Sequence, residues 1–328
     1  MSEELTVIIP TWNGLNLLRH CLSALSRQTR PAHILVVDNG SSDGTAEFLG
    51  REYPEVKCLP QPENLGFAGA VNRGIETCET AYLALLNNDT EVEPDWVEQG
   101  LKAFARHPDF DFFASRMLNF HCRHRLDSAG DCYDRFGMPY KRGYGELSDH
   151  FLEKESVLGA SAGAAFYRRS LFDRVGLFEE RFYLYLEDVE LSLRSQLLGH
   201  RCLYLPGARV YHMEAASDHE REKGVGVSDD RQRGVLRPVY TSNRVYWITR
   251  NRWLLMWLYQ PLRHFPHLVW GWGRSFAFHF WKAGFRWAFL RGLWAGLAAT
   301  PWAMGRRWQL RRIQKISDQD LCTLLRKC

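Results

Sequence analysis

Short apolar runs alternate with amphipathic stretches through the first hundred residues of the chain. The runs Leu5–Pro10, Ile34–Val37 and Ala81–Leu86 have the length and composition of buried strands. Two helical patterns follow the second strand, at Thr45–Leu49 and Ala68–Thr77. The apolar residues of an amphipathic helix recur between the first two strands at Leu15, Leu18, Cys21, Leu22 and Leu25.

This alternation predicts an α/β fold with a mostly parallel sheet flanked by helices. Glu93-Pro94-Asp95 predicts the start of another helix, with proline at an early helical position. Right-handed crossovers would bring the carboxyl ends of all three strands to one rim of the sheet. The alternation weakens after Phe113, and residues 119–155 are polar and glycine-rich, as expected of an insertion or acceptor-side loop region. Spacing of apolar residues predicts a further helix that begins near Glu187.

The third strand ends abruptly in Asn87, Asn88 and Asp89. In open α/β sheets, ligands bind outside the carboxyl ends of the strands. A carboxylate at that place suits a divalent cation such as Mg²⁺ or Mn²⁺, which needs only one or two protein carboxylates when phosphates and water complete its shell. Asn-Asn-Asp is also ordinary turn chemistry, so a strand-end turn is the alternative.

Charge divides the chain into two parts. The chain has a net charge of +4, but residues 231–328 hold 18 Lys or Arg and two Asp, a charge of +16, which leaves −12 on residues 1–230. The C-terminal part also holds 10 of the 12 tryptophans. We therefore predict a catalytic domain at 1–230 and a basic, Trp-rich, helical, membrane-associating tail at 231–328.

A membrane surface is the partner that the composition of this tail favours. Its longest stretch without charge, Gly292–Gly305, has 14 residues and contains Pro301, whereas a spanning helix needs about 20 apolar residues. Basic residues among Trp, Phe and Leu suit helices that lie in the interface of an anionic leaflet. Single-stranded nucleic acid is an alternative partner, disfavoured by so much Trp and Leu, and packing of the tail against a second subunit in a homodimer is another.

The cysteines and the first residues bear on location. Eight cysteines show no CxxC spacing, and the start, Met1 to Thr6, lacks the basic and apolar regions of a signal peptide. We expect a cytoplasmic protein with reduced thiols, associated peripherally with the inner face of the cell membrane.

Five motifs together resemble an inverting, family 2 glycosyltransferase of the GT-A fold, nearest its bacterial rhamnosyltransferase-like branch. They occur in family order over roughly residues 5–215, and the later segment with Asn243-Arg244 and Arg250-Asn251-Arg252 also resembles that branch. The motifs are Val7-Ile8-Ile9-Pro10-Thr11, Val36-Val37-Asp38-Asn39 with Ser42-Asp43-Gly44-Thr45, Asn64-Leu65-Gly66-Phe67, Leu86-Asn87-Asn88-Asp89, and Tyr185-Leu186-Glu187-Asp188.

The resemblance implies a nucleotide-sugar site along the rim. It places the backbone of Thr11 at the base or ribose and lets the carboxylate of Asp38 accept the pyrimidine N3–H. Asp43 either caps the helix that follows it or touches the ligand. The remaining residues implied for this site are Asn64, Gly66, Phe67, Asn87 and Asn88.

Metal and catalytic roles also follow from the resemblance. Asp89 matches the last carboxylate of the family's metal motif, which is incomplete here because Asn87 occupies its first position. His212 is where related enzymes place a histidine near metal and phosphate, although a lone histidine after a strand is often structural. Asp188 matches the catalytic base, and Glu187 is assigned to orient the base or bind the acceptor sugar.

The implied activity is metal-dependent transfer of a sugar to a lipid-linked saccharide in cell-surface polysaccharide synthesis. L-rhamnose from dTDP-rhamnose is the expected donor, on resemblance alone, and Mg²⁺ or Mn²⁺ the expected cofactor. A UDP-hexose or UDP-galactofuranose transferase of the same fold is one alternative. A non-catalytic protein that binds nucleotide sugar or nucleic acid is another.

Overall fold

The computed structural model describes residues 4–214, 241–282 and 284–327. One-turn 3-10 helices lie at Ser148–His150, Glu180–Phe182 and Leu262–His264, and a π-helical turn lies at Phe278–Lys282. The strands are β1 (Leu5–Thr11), β2 (His33–Asp38), β3 (Lys57–Pro60), β4 (Tyr82–Leu86), β5 (Thr90–Val92), β6 (Phe112–Asn119), β7 (Leu126–Ser128), β8 (Asp131–Tyr133), β9 (Pro139–Lys141), β10 (Glu155–Val157), β11 (Ala164–Arg168) and β12 (Cys202–His212). The helices are α1 (Leu15–Leu25), α2 (Thr45–Glu52), α3 (Gly66–Thr77), α4 (Trp96–Arg106), α5 (Arg169–Val175), α6 (Glu187–Leu197), α7 (Ser242–Tyr259), α8 (Phe265–Ala277), α9 (Arg286–Ala298), α10 (Thr300–Ile313) and α11 (Asp318–Lys327).

A 10-stranded mixed sheet organises the chain, in the order β10-β12-β6-β11-β4-β1-β2-β3, with β5 beside β12 and β7 beside β6. Strands β3, β2, β1 and β4 are parallel neighbours, and β6 and β12 are parallel to each other. Strand β11 runs antiparallel to both β4 and β6. Six strands therefore point the same way, which confirms the predicted mostly parallel α/β fold.

The sheet is buried on both faces. Val7 and Ile9 of β1 pack into one apolar cluster with α1, α2 and α4. Ile8 faces the other side, in a cluster with α3 and α5. Near-continuous apolar strands are what burial on both faces requires, which is why the strand pattern was readable from sequence.

The predicted elements before residue 113 are confirmed, but the structure adds strands β3 and β5 and corrects the start of α4. Strand β3 was not predicted, because its four residues include Lys57 and Pro60 and it lies at the edge of the sheet. Helix α4 begins at Trp96 with Asp95 as its N-cap, so the prediction that Pro94 occupies an early helical position was wrong.

The polar segment 119–155 contributes short strands instead of a plain loop. Strand β7 pairs with the end of β6, which carries Asp127 to the rim of the sheet. Strands β8 and β9 form a separate hairpin that ends in Lys141. This segment thus supplies charged side chains to the place where the parallel strands end.

Helices α7 to α11 confirm the predicted helical C-terminal extension. Leu254, Leu255 and Leu258 of α7 share one buried cluster with Val189 and Leu193 of α6. Among the helices described, none combines the length and apolar character needed to cross a membrane. The proposed division at residue 230 falls within 215–240, outside the described residues, and it stays a prediction.

The contact between α6 and α7 contains a buried ion pair that can be tested. Arg194 Nη2 lies 2.7 Å from Glu190 Oε2, with side chains only 2% and 3% exposed, and Tyr259 Oη donates to Glu190 Oε1 at 2.6 Å. Arg194→Met should lower the free energy of unfolding by about 3–5 kcal/mol, because Glu190 is left buried without its cation. Urea denaturation measures the change.

The exposed pair between Arg73 and Glu76, at 2.9 Å on α3, is the matched control. Arg73→Met should change stability by about 1 kcal/mol or less, since solvent screens that pair. Equal effects of the two substitutions would contradict a structural role for the buried pair.

Candidate active site

The carboxyl ends of β1, β2 and β4 meet at one rim, as predicted. Thr11 is paired in register with Asp38. Asn88 Nδ2 donates to Thr11 Oγ1 at 2.8 Å, and the backbone N–H of Asn39 donates to the Thr11 carbonyl at 2.9 Å. Asp38 is 4% exposed, and its Oδ1 accepts from the backbone N–H of Ser41 at 3.0 Å. Thr11, Asp38 and Asn88 are thus neighbours across three strands.

The loop Asn64–Phe67 is fastened to this rim by Asn39, which sequence reasoning did not single out. Asn39 Nδ2 donates to Asn64 Oδ1 at 3.0 Å and to the Gly66 carbonyl at 3.1 Å. Gly66 has φ +74°, and a Cβ there would lie 2.6 Å from the carbonyl oxygen of Tyr183, so the position requires glycine. Phe67 packs against the apolar cluster on the α3 side of the sheet. The loop is built to stay close to β2.

Asp43 has a structural role. Its Oδ2 accepts from the N–H of Leu15 at 3.0 Å, and its Oδ1 accepts from the hydroxyl of Thr45 at 2.6 Å. One carboxylate therefore satisfies groups at the first residues of both α1 and α2.

Asp89 and His212 are brought together by strand pairing. His212, at the end of β12, is in register with Thr90 of β5, and the N–H of Met213 donates to the Asp89 carbonyl at 2.9 Å. His212 Nε2 lies 3.3 Å from Asp89 Oδ1. The other ring nitrogen, Nδ1, lies 2.9 Å from Oδ2 of Asp127, a fully buried carboxylate.

A chain of charges continues from Asp127 to the hairpin of β8 and β9. Lys141 Nζ lies 2.6 Å from Asp127 Oδ1 and 3.4 Å from Glu214 Oε1. Burial alone would raise the pKa of Asp127, but Lys141 and His212 hold it well below its usual range. Burial likewise opposes protonation of His212, but Asp89 and Asp127 raise its pKa to about 10.

These residues fit a divalent cation that also takes phosphate oxygens. A metal-bound histidine almost always gives its second ring nitrogen to a carboxylate or carbonyl, which is the contact between His212 and Asp127. Asp89 adds a hard oxygen donor next to Nε2. In the described ranges, no three His, Cys, Asp or Glu side chains converge on one point as a metal site. A cation held by Asp89 and His212 would have to displace the proton on His212 Nε2, and donor phosphates and water would complete its shell, as is common for Mg²⁺.

Asp188 lies at the start of α6, with its two carboxylate oxygens held by different backbone groups. Oδ1 accepts from the N–H of Val189 at 2.8 Å, and Oδ2 accepts from the N–H of Ala162 at 3.2 Å. The adjacent Gly163 carbonyl accepts from the N–H of Asn87 at 2.9 Å. The loop before β11 therefore connects the Asp188 carboxylate to the end of β4.

The environments of Glu187 and Asp188 differ. Burial raises the pKa of Asp188, opposed by its backbone N–H donors. Burial, the Asp188 carboxylate and Asp131 raise the pKa of Glu187 well above its usual range, and Glu187 Oε2 is buried without a hydrogen-bond partner. When two neighbouring carboxyls differ in this way, the one whose pKa is raised less, here Asp188, ionises first.

The arrangement joins most of the predicted site residues into one region and adds others. Sequence reasoning quoted Asn39 only within a motif, without a role, and it missed Asp127, Asp131 and Lys141. The last three lie in the segment without clear periodicity, and only strand pairing reveals their position. The individual roles assigned to the predicted residues stay predictions.

Comparison with known proteins identifies the family. The sequence model of Glycosyl transferase family 2 matches residues 6–176. An N-acetylglucosaminyl-diphospho-decaprenol L-rhamnosyltransferase of Mycobacterium tuberculosis is 30% identical over 244 residues, which cover 66% of this chain and 78% of that protein. The O-antigen biosynthesis protein RfbC of Myxococcus xanthus is 27% identical over 228 residues, covering 66% of this chain and 18% of that protein. The chain belongs to glycosyl transferase family 2, and the resemblance to a rhamnosyltransferase is confirmed.

Solved structures of glycosyltransferases share the fold. The crystal structure of S. aureus TarS in complex with UDP-GlcNAc superimposes with a TM-score of 0.58 at 15% identity, covering 99% of this chain and 91% of that chain. The mannosyltransferase PcManGT from Pyrobaculum calidifontis, in complex with GDP-Man and Mn²⁺, gives a TM-score of 0.51 at 15% identity, covering 100% of this chain and 79% of that chain. At this identity the likeness shows the GT-A fold alone.

Asp127→Asn tests whether the buried carboxylate supports a metal ligand. The substitution removes the charge that orients His212, so Mn²⁺ affinity in the presence of dTDP should fall about 10–100-fold. Electron paramagnetic resonance of free Mn²⁺ measures this without turnover. Glu91→Gln is the control, because Glu91 lies close by on β5 but pairs with His20 and Arg123. An unchanged affinity in a folded Asp127→Asn protein would assign His212 a purely structural role.

Proposed function

We propose that the protein is an inverting glycosyltransferase that moves L-rhamnose from dTDP-rhamnose onto a lipid-linked saccharide in cell-surface polysaccharide synthesis. The observation that carries the proposal is the Asp188 carboxylate, held by two backbone N–H groups, one of them in the loop before β11, whose Gly163 carbonyl accepts from the N–H of Asn87. Asp188 supplies one base. Asp89 and His212, at the other end of the site, are suited to a diphosphate with its cation.

One base is sufficient for a single displacement. Asp188 accepts the proton of the acceptor hydroxyl while the oxygen attacks the anomeric carbon of the donor. The bond from that carbon to the diphosphate oxygen breaks, and the nucleoside diphosphate leaves with the electron pair. Attack from the face opposite the leaving group inverts the configuration. Burial raises the pKa of Glu187, and in its protonated form this carboxyl is suited to donate a hydrogen bond to the acceptor sugar.

The donor end is assigned to the other rim residues. Asp38 and the backbone at Thr11 would hold the nucleoside, with the Asn39-fastened loop, Asn64, Gly66 and Phe67, beside it. Asn87 and Asn88 lie between this part and the diphosphate. Asp89 and His212 would hold Mg²⁺ or Mn²⁺, which when bound supplies Lewis-acid stabilisation of the leaving diphosphate. Mn²⁺ in the PcManGT complex supports a divalent cation here without choosing between the two.

The choice of substrates rests on relatives. The Mycobacterium tuberculosis protein carries its acceptor, an N-acetylglucosaminyl-diphospho-decaprenol, and its L-rhamnosyl donor group in its name. UDP-GlcNAc in TarS keeps a UDP-sugar donor as the rival within the same fold. A non-catalytic binding protein is disfavoured because the chain has both Asp89, the candidate metal ligand, and Asp188, the candidate base.

The proposed location is the inner face of the cell membrane, through the outward faces of α8 and α9. These helices pack together around Phe289, which contacts the rings of Trp272 and Phe276. Their other sides expose Trp270 (64%), Trp287 (75%) and Trp294 (75%), with Trp281 (80%) between the helices. Exposed arginines on the same two helices are Arg274, Arg286 and Arg291. Large exposed aromatic area beside cations suits an anionic lipid interface more than solvent.

Activity is tested with a panel of donors. Purified protein with Mn²⁺ should transfer rhamnose from dTDP-rhamnose to an N-acetylglucosaminyl-diphospho-polyprenol, with much less transfer from UDP-galactose or UDP-galactofuranose. The anomeric configuration of the product, read by NMR, should be opposite to that of the donor. Asp188→Asn should lower kcat about 10²–10⁴-fold, because it removes only the proton acceptor.

Calorimetry with dTDP should show near-normal binding to Asp188→Asn. Lost binding with a normal rate of the bound substrate would make Asp188 a binding residue. If the enzyme preferred a UDP-sugar, the proposed mechanism would stand and only the proposed donor would change. A product with the same anomeric configuration as the donor would overturn single displacement.

The membrane proposal is tested by sedimentation with vesicles. Wild type should bind vesicles of phosphatidylglycerol and phosphatidylcholine more than vesicles of phosphatidylcholine alone, since each interfacial Lys or Arg contributes about 1 kcal/mol with anionic lipid. Trp287→Ser with Trp294→Ser should reduce binding in both low and high salt, because inserted apolar area is not screened. Arg286→Gln with Arg291→Gln should remove mainly the salt-sensitive part.

Leu152→Ser provides the control, since Leu152 is 55% exposed on the catalytic part of the chain. Its vesicle binding should equal that of wild type. If the double Trp variant bound vesicles normally but dissociated a dimer in analytical ultracentrifugation, the aromatic face would be a subunit interface instead.

A further inference from the structure

The loop that precedes the two candidate catalytic carboxyls has an unfavourable backbone. Tyr183, Tyr185 and Leu186 have φ values of 57°, 66° and 68°. Bulky residues rarely adopt this left-handed region, and such conformations persist only when the surroundings hold them. Leu186 is the N-cap of α6, so Glu187 and Asp188 follow the strained residues directly.

Asn251 of α7 holds this loop through three carbonyl groups. Its Nδ2 lies 2.8 Å from the carbonyl oxygen of Phe182, 3.0 Å from that of Leu184 and 2.7 Å from that of Tyr185. The residue is fully buried. Its side chain thus faces three carbonyls of this loop, of which that of Phe182 also accepts from the N–H of Leu184 at 2.6 Å.

The orientation of the Asn251 amide is set by its neighbour. Arg250 Nη1 donates to Asn251 Oδ1 at 2.7 Å and to the carbonyl of Arg181 at 2.7 Å. With its oxygen occupied by a guanidinium, the amide must direct its NH₂ group to the loop. No apolar or acidic side chain of the same size could replace it.

Helix α7 also supports the loop from a second direction. The Trp247 ring stacks on Tyr183 with centroids 4.9 Å apart, and the Tyr183 carbonyl accepts from the N–H of Ala68 at 3.3 Å. Tyr183 therefore has supports of its own, from the ring of Trp247 and from the backbone of Ala68. Loss of the Asn251 side chain would therefore disturb mainly the backbone of residues 184–188, the last of which is Asp188.

We propose that Asn251 is a positioning residue for the reaction: by holding the carbonyls of residues 182, 184 and 185, it fixes the backbone from which Asp188 enters the site. The proposal rests on the proposed function, in which Asp188 is the base. Asn251 and the loop that it supports both lie beyond residues 6–176, the part matched by the family model.

The experiment compares Asn251→Ala and Asn251→Asp with wild type in rhamnosyl transfer from dTDP-rhamnose. Both variants remove the NH₂ donor, and Asn251→Asp does so without a change of size. A loop displaced by even about 1 Å can cost about 10²-fold, so we expect kcat to fall about 10–100-fold. The KM for donor and the calorimetric affinity for dTDP with Mn²⁺ should change by no more than about threefold.

Thr249→Ala is the matched control. Thr249 is buried on the same helix, but its side chain faces the backbone of Gly292 in α9. It should lower thermal stability without a comparable loss of kcat. A loss of kcat equal to that of Asn251→Ala would show that any disturbance of α7 has this effect.

Leu186→Gly supplies a readout that a general structural role would not move. Glycine adopts the left-handed region freely, so the loop needs less support. In the Leu186→Gly background, Asn251→Ala should reduce kcat by a clearly smaller factor than in the wild-type background. If Asn251→Ala alone does not fold, the double variant that combines it with Leu186→Gly still gives this test. The double variant should then recover folded, active protein.

The outcomes separate this inference from the proposed function. Wild-type kcat in Asn251→Ala, or equal losses with and without Leu186→Gly, overturns the positioning role. If Asp188→Asn keeps full activity, the proposed base is wrong, whatever Asn251 does. Loss of dTDP binding in Asn251→Asp would assign the residue to the donor site and also overturn the proposal.

Discussion

The common direction of six strands is the constraint on which the site depends. Because β1, β2 and β4 are parallel neighbours, Thr11, Asp38 and the Asn87–Asp89 turn must end at the same rim. The reversed strand β11 adds to this rim from the other direction. Its first residue, Ala164, is in register with Leu86, so the loop before it arrives where β4 ends. A sheet of only parallel strands would not bring Ala162 to the Asp188 carboxylate.

Burial of charge determines the chemistry available at the two ends of the site. At one end, His212 lies between Asp89 and the buried Asp127, and Lys141 offsets the charge of Asp127. Opposite charges in contact make burial of these groups tolerable. At the other end, Glu187 and Asp188 are neighbouring carboxyls, and backbone N–H groups of two other residues donate to Asp188. Burial raises the pKa of both carboxyls, and it raises that of Glu187 further.

The C-terminal helices have an inner side that packs on α6 and an outer side that is exposed on α8 and α9. The inner side of α7 packs against α6 and supports the loop before Asp188 through Asn251. The outer sides of α8 and α9 expose tryptophan and arginine.

Local pattern was sufficient to predict the alternation of strands and helices and the rim residues. A strand buried on both faces must be apolar throughout, and its end is marked by the first polar residues, as at Asp38 and Asp89. The beginning of α6 at Glu187 was likewise visible from helical spacing. The short edge strand β3 was missed because a partly exposed strand lacks that apolar signal.

What the sequence by itself determined is therefore the part encoded over ten or so residues: the fold class, the rim and the motif carboxylates. The tertiary structure alone decided that Asp127 lies behind His212, that Ala162 holds Asp188, and that Asn251 supports a loop 66 to 69 residues before it. These contacts join segments distant in the chain, and a single polar residue in an aperiodic loop or on a helix carries no local sign of its partner. The physical reason is that strand register and helix packing, which bring such residues together, are set by burial over the whole domain.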